Sequence, residues 1–176
     1  MPLPIAGKGS EAAASPFVWF IYGSSLDAKA FAAWGLEHGY AVPDVSHGRR
    51  VRLRGFRLAF DVVSRSWGGA VASLTESPGD FVEGLAVPMP GGARALVEHR
   101  EGAISGLYVP LDVEVDPVDG GPALRAVAYR AAPTRRLAAE GPPSPDYLAT
   151  VIRGARETGL SADWIDRLEA LGRHAP

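Results

Sequence analysis

The chain has 176 residues, 47% of them hydrophobic and 22% charged, with a formal net charge of −2 and no cysteine. This composition fits one globular domain and excludes a disordered chain, a strongly charged surface for nucleic acid or anionic lipid, and any disulfide or cysteine chemistry. The apolar runs have only strand length, so no membrane span is predicted, and the absence of cysteine is compatible with the cytoplasmic location that we expect.

The N-terminal part of the chain divides into an arm and a strand–turn–helix unit. Residues 1–15 show no periodicity and no apolar run of a signal peptide, so we expect a disordered arm followed by a single domain over residues 16–176. The aromatic and β-branched run 17–22 predicts a buried strand, and helical spacing over 27–38 predicts a helix. The Gly-Ser turn between them could present backbone N–H groups to an anion, or be an ordinary turn that caps the helix.

The middle of the chain is predicted to be mostly strand. Residues 49–63, 70–75 and 81–88 have the composition of strands, and Ser77-Pro78-Gly79-Asp80 has the chemistry of a turn. We therefore expect the strands over 70–75 and 81–88 to pair as a hairpin, with its turn at residues 77–80.

Two acidic residues flank that turn. Glu76 and Glu83 are both expected to face solvent from their strands. A short helix is predicted over residues 91–100.

The remaining elements form a hairpin and a helical end. Residues 108–116 alternate apolar and acidic side chains, and a Gly-containing turn leads into a strand over 123–131. Helices are predicted over 145–158, with Ser144 as N-cap, and over 161–172. Strands in the middle with helices between and after them indicate an α+β domain.

Few residues suggest chemistry by their spacing alone. The four histidines lack metal-ligand spacing, and the chain has neither a phosphate-binding P-loop nor a serine-nucleophile elbow. Glu98 and Glu101 stand three apart at the end of a predicted helix, and either could be a solvated surface residue. A carboxylate at Glu101, just before Gly102 and a pair of strands, could point into the concave side of the sheet.

Four stretches, taken together and in order, resemble the γ-glutamylcyclotransferase family over about residues 17–171. They are FVWFIYGSSL (17–26), GGAVASLTESPGDFVEGLAVPM (68–89), REGAISGLYVPLDVEV (100–115) and PPSPDYLATVIRGARETGLSADWIDRLEAL (142–171). The resemblance implies a small mixed, largely antiparallel β-barrel with flanking helices and a pocket at the barrel mouth.

The resemblance also implies the site residues. The essential glutamate of the family falls on Glu101, and no metal or cofactor is implied. The γ-glutamyl group would be bound by a loop and a tyrosine, which correspond to Tyr22, Gly23, Ser24, Ser25, Leu26 and Tyr147. One residue departs from the pattern, because the family usually has asparagine at the position of Ser25.

The implied activity is a ring closure. The α-amine of a γ-glutamyl amino acid or peptide attacks its own γ-carbonyl, 5-oxoproline forms and the amino acid leaves, with Glu101 moving protons and its pKa raised by burial. Two alternatives stay open, a cyclotransferase for γ-glutamylamines or biosynthetic intermediates and a non-catalytic γ-glutamyl-binding protein. The expected partner is a small γ-glutamyl molecule, with no nucleic acid or membrane, and a homodimer is left open.

Overall fold

A computed structural model describes residues 14–173 of the chain. Within that range, five strands and four α-helices follow one another in this order: β1 Phe17–Ile21, α1 Ala28–Glu37, β2 Arg49–Ser64, β3 Gly69–Met89, α2 Arg94–Arg100, β4 Tyr108–Pro117, β5 Leu124–Ala131, α3 Pro145–Glu157 and α4 Ala162–Arg173. Single 3₁₀ turns lie at Ser24–Leu26, Gly91–Ala93 and Pro133–Arg135. None of the helices in this range has the length and apolar character needed to cross a membrane.

The five strands close into a mixed barrel in the order β1-β3-β2-β4-β5. Neighbouring strands pair antiparallel except β1 and β5, which close the barrel through a parallel contact between Trp19 and Val127. The interior is filled by large side chains, among them the fully buried Trp19 and Tyr129. The predicted fold class, a small mixed barrel with flanking helices, is confirmed.

The predicted turn at Ser77–Asp80 is wrong. β3 runs unbroken from Gly69 to Met89 and pairs along its length with β2, from which a turn at 65–68 leads into it. The register passes from Arg54↔Phe81 to Phe56↔Glu76, so residues 77–80 bulge opposite the single residue Gly55. The turn-forming residues therefore produce a bulge, with Gly79 at φ 89°, because both halves of β3 already have a partner in β2.

The expectation for Glu83 is also wrong, although Glu76 does face solvent. Glu83 is 1% exposed, and its carboxylate accepts hydrogen bonds from the Ser161 N–H at 2.8 Å and the Ser161 hydroxyl at 2.7 Å. Ser161 in turn caps α4. Alternation along a strand identifies its two faces, but the packing of α4 against the outside of the barrel buries the polar one.

The expected arm falls largely outside the described residues, since residues 1–13 are not among them. Ala14 is described and its carbonyl oxygen lies against Gly91, where an added Cβ would stand 1.5 Å from that oxygen. β1 begins at Phe17, close to the expected start of the domain.

Candidate active site

A cavity of about 950 Å³ lies at one end of the barrel, between the loop after β1, helix α1, the β2–β3 turn and the end of α2. This volume is at the upper end of the range for small-molecule sites. Its wall includes these polar and aromatic residues: Tyr22, Ser24, Ser25, Trp34, Glu37, His38, Arg65, Trp67, His99, Arg100, Glu101, Tyr108, Arg135 and Tyr147. Glu98 is not among the lining residues.

The loop after β1 contributes the first part of the wall. Tyr22, Gly23, Ser24 and Ser25 all line the cavity, as the resemblance implies. Leu26 does not, because its side chain is fully buried in the core and its N–H donates to the Gly23 carbonyl at 3.0 Å within the 3₁₀ turn. The Leu26 N–H is therefore used within the turn and is not available to a ligand.

Helix α3 holds this loop in place. A Cβ on Gly154 would stand 2.3 Å from the Asp27 backbone nitrogen, so only glycine lets the helix approach the loop this closely. Asp27 is 1% exposed, caps α1 by accepting from the Ala30 N–H, and pairs with Arg153 of α3 at 2.5 Å. The ion pair on the buried Asp27 carboxylate and the glycine contact therefore fix the loop against the helix.

Glu101 reaches the cavity because α2 ends directly after it. Its N–H still donates to the Val97 carbonyl at 2.9 Å, but Gly102 takes a left-handed conformation with φ 68°. The Ala103 N–H then donates to the Glu98 carbonyl, which closes the helix in the manner of a glycine C-cap. The chain turns away at this point, and the Glu101 side chain stays in the cavity wall.

Burial raises the pKa of the Glu101 carboxyl from its ordinary value of 4.5 to about 7, and the positive charge of Arg100 offsets part of that rise. Within residues 14–173, the Glu101 carboxyl forms no side-chain hydrogen bond or ion pair of the kind that holds Glu83. A carboxyl with a pKa near neutrality can both accept and donate a proton at physiological pH.

Arg100 is a site residue that sequence reasoning missed. Its Nε donates to the Ser25 hydroxyl at 3.0 Å and one of its Nη atoms to the Ser24 hydroxyl at 3.1 Å. Its guanidinium also lies 5.2 Å from the centre of the Trp34 ring. Burial lowers the pKa of the Arg100 guanidinium from its ordinary value, but arginine stays protonated in proteins.

Tyr147, which the resemblance assigns to the site, lies beneath the loop. It is 6% exposed, packs edge-on against Trp67 at 5.4 Å, and has backbone groups of Ser24 and Ala72 beside its hydroxyl. A Cβ on Gly23 would stand 2.8 Å from the Tyr147 hydroxyl oxygen, so glycine at that position leaves room for the phenol. Burial raises the pKa of the Tyr147 hydroxyl, which therefore stays protonated.

Two further tyrosines in the cavity wall, Tyr22 and Tyr108, form hydrogen bonds to the backbone. The Tyr22 hydroxyl donates to the Tyr129 carbonyl, and the Tyr108 hydroxyl donates to the Ala72 carbonyl at 2.6 Å. Burial raises the pKa of both hydroxyls, so both stay neutral. Only Tyr22 was predicted at the site, whereas Tyr108 entered the sequence argument merely as part of a motif.

Sequence reasoning also missed the aromatic side of the cavity. Trp34 stacks on His38 with ring centroids 4.6 Å apart and meets His99 edge-on at 5.3 Å. The helical spacing over 27–38 predicts the helix that carries Trp34, but not that this residue borders a cavity. No group of three or more His, Asp or Glu side chains within residues 14–173 is arranged to bind a metal ion.

Comparisons with known proteins agree with this fold. The AIG2-like family model matches residues 82–168. The γ-glutamylcyclotransferases of Bos taurus and Homo sapiens are 29% and 28% identical to the chain over 159 residues, covering 88% of the chain and 78% of each relative. A solved structure named gamma-glutamyl cyclotransferase superposes with a TM-score of 0.74 at 27% identity, covering 89% of this chain and 88% of that one.

The chain therefore shares its closed mixed barrel with that solved structure and is similar in sequence to the γ-glutamylcyclotransferases over most of its length.

Proposed function

We propose that this protein is a γ-glutamylcyclotransferase that converts a γ-glutamyl amino acid or peptide to 5-oxoproline and releases the amino acid. The relatives that carry this activity in their names align over most of the chain. The observation that carries the proposal is Glu101, a partly buried carboxyl in the cavity wall with a pKa of about 7.

The substrate is held by its γ-glutamyl end. Its α-carboxylate accepts hydrogen bonds from the N–H groups of residues 23–25, with the Tyr147 hydroxyl beneath them. The pair of Asp27 with Arg153 anchors the loop, which reduces the ordering that binding requires. Bending the glutamyl chain into its near-attack shape supplies much of the acceleration, because the nucleophile is tethered to the carbonyl.

The reaction moves protons without consuming water. The α-nitrogen forms a bond to the γ-carbonyl carbon, and the amide bond from that carbon to the leaving nitrogen breaks. An α-ammonium starts with three protons and the ring nitrogen keeps one, so two pass to the leaving nitrogen, which departs as an ammonium. Glu101 accepts a proton from the α-nitrogen and delivers it to the leaving nitrogen, a dual role that suits a pKa of about 7.

An assay for 5-oxoproline tests the proposal. Purified protein is incubated with γ-glutamylalanine in water enriched in ¹⁸O, and the products are identified by mass spectrometry. We expect unlabelled 5-oxoproline and free alanine in equal amounts. Release of glutamate labelled with ¹⁸O would indicate hydrolysis instead, and the absence of any product from a panel of γ-glutamyl compounds would leave a binding protein.

A further inference from the structure

Arg100 is a partly buried cation that forms no ion pair within residues 14–173, although the Glu101 carboxyl is close enough to act on its charge. The two hydrogen bonds of its guanidinium go to the neutral hydroxyls of Ser25 and Ser24, at 3.0 and 3.1 Å. None of the ion pairs in the described part of the chain includes it. A partly buried charge without a partner is costly, and it is retained where a ligand supplies the opposite charge.

Other arginines near buried carboxylates behave differently. Arg153, on the opposite side of the same loop, pairs with Asp27 at 2.5 Å. Arg52 pairs with Glu83 at 3.2 Å. Arg100 directly precedes Glu101 in the chain and yet forms no ion pair with it, so both charged groups remain available to the cavity.

The guanidinium is also held in a defined position. It lies 5.2 Å from the centre of the Trp34 ring and 5.7 Å from that of Phe31. Its Nε and one Nη are oriented by the two serine hydroxyls. Arginine carries five N–H donors in a planar fork, so donors remain on the Nη atoms for a carboxylate.

We propose that Arg100 binds the carboxylate of the leaving amino acid and thereby makes the site selective for γ-glutamyl amino acids over γ-glutamylamines. This inference rests on the proposed function. It assigns Arg100 a role in specificity and leaves proton transfer to Glu101.

Arg100 and Glu101 both line the cavity, so both can act on one substrate. In a γ-glutamyl amino acid, one α-carbon separates the leaving nitrogen from the carboxylate. Glu101 serves the leaving nitrogen, and the preceding residue presents a cation to the carboxylate beyond it. The cavity continues from Arg100 along α1, past Trp34, Ala33 and Ala30, which gives the leaving side chain room.

A pair of substrates that differ only in this carboxylate tests the inference. The kcat/KM of γ-glutamylalanine is compared with that of γ-glutamylethylamide, in the wild type and in Arg100→Gln. We expect the wild type to favour γ-glutamylalanine by about ten- to hundredfold, the factor expected for a hydrogen bond to a charged group. In Arg100→Gln, the kcat/KM for γ-glutamylalanine should fall by most of that factor, whereas the kcat/KM for γ-glutamylethylamide should change little.

Arg94→Gln is the matched control. Arg94 lies on the same helix, its guanidinium stacks 4.3 Å from the centre of the Phe17 ring, and it does not line the cavity. In Arg94→Gln, the ratio of kcat/KM for γ-glutamylalanine to kcat/KM for γ-glutamylethylamide should equal that of the wild type.

Three results would overturn the inference. Equal use of both substrates by the wild type would show that the carboxylate is not recognised. An equal loss on both substrates in Arg100→Gln would show that Arg100 binds the shared γ-glutamyl part. An unchanged ratio in Arg100→Gln would assign the selectivity to another residue.

The proposed function can fail separately, because in that case the wild type releases 5-oxoproline from neither substrate. Should Arg100→Gln fail to fold, wild-type kinetics on γ-glutamylalaninamide decide the question, since this substrate keeps the size of γ-glutamylalanine and lacks the charge. We then expect it to be used as poorly as γ-glutamylethylamide, and full activity on it would contradict the inference.

Discussion

Two glutamates, each close to an arginine, have opposite surroundings in this molecule. Glu83 is 1% exposed and both of its carboxylate oxygens are occupied, one by Arg52 and the other by Ser161. Glu101 lies in a cavity wall, has no such partners within residues 14–173, and its neighbour Arg100 is held by serines. Both carboxylates are removed from bulk water, but only Glu83 has direct hydrogen-bond and ion-pair partners on both oxygens.

This difference distinguishes Glu83, whose carboxylate stabilises the fold, from Glu101, whose carboxyl is free to take part in proton transfer. The hydrogen bonds on Glu83 tie β3 to the start of α4, and both of its oxygens are engaged within the protein. The carboxyl of Glu101 is not stabilised in this way, so burial raises its pKa to about 7. Burial alone does not mark a functional carboxylate, whereas burial without partners beside an open cavity does.

The largest expected effect is on turnover. Glu101→Gln keeps the size of the side chain but cannot accept a proton, so kcat should fall by about 10³–10⁴-fold while substrate still binds at the loop. The measurement is 5-oxoproline release at saturating substrate, with binding followed by calorimetry. Glu98→Gln, one helical turn earlier and outside the cavity, is the control and should reduce kcat only slightly. Retention of more than about a tenth of wild-type kcat by Glu101→Gln would mean that another group moves the proton.

The second effect is on stability and concerns the other glutamate. Glu83→Ala leaves Arg52 without its partner and removes the acceptor of the Ser161 N–H, so the free energy of unfolding should fall by about 3 kcal/mol. Turnover per folded molecule should be unchanged. Glu76→Ala is the matched control, because the Glu76 side chain is 77% exposed in its pair with Arg130 and should contribute less than about 1 kcal/mol. Equal losses in both variants would contradict the distinction drawn for Glu83.

The pH dependence of stability sharpens the comparison further. The pKa of Glu101 rises from 4.5 to about 7 on folding, so the folded protein holds this proton more tightly than the unfolded chain. Below pH 4.5 the Glu101 carboxyl is protonated in both the folded and the unfolded state. Above pH 7 the folded state carries the Glu101 charge in a partly buried place. The free energy of unfolding therefore falls as the pH rises between these values. The loss is at most about 3 kcal/mol.

Urea unfolding of the wild type and of Glu101→Gln at pH 5 and pH 8 measures this contribution. The variant should gain stability relative to the wild type as the pH rises. A difference between the two proteins that does not change with pH would mean that the Glu101 carboxyl is not perturbed.

The smallest expected effect concerns the hydroxyl groups that hold Arg100. Ser25→Ala removes the acceptor of the Arg100 Nε, so KM for a γ-glutamyl amino acid should rise about fivefold, the equivalent of one hydrogen bond of about 1 kcal/mol. The kcat should change less than KM, because Glu101 is untouched. Ser77→Ala, in the β3 bulge, is the control for removal of a hydroxyl away from the cavity. If the loop acts only through its backbone, Ser25→Ala will have wild-type kinetics.

Local sequence patterns were enough to predict most of the helices and strands. The aromatic run ending at Tyr22 and the Ser144-Pro145 helix start each have a local physical signature, and each is found in the structure. Glu101 was selected over Glu98 by its motif, since the helical spacing of the two residues is compatible with either. Local chemistry failed at Ser77–Asp80, because turn-forming residues produce a bulge where both flanking segments already share a strand partner.

The sequence by itself determined where the strands and helices form, that the domain is an α+β domain, and which residues match a family motif, because these depend on side-chain periodicity and on neighbours along the chain. Only the tertiary structure decided which charges are compensated. Glu83 meets Ser161 and Arg100 meets Ser25 across 78 and 75 residues of chain, and no local rule specifies such pairs. Whether a buried charge is structural or available for chemistry depends on the partners that folding brings to it, because desolvation is offset only by groups within hydrogen-bonding distance.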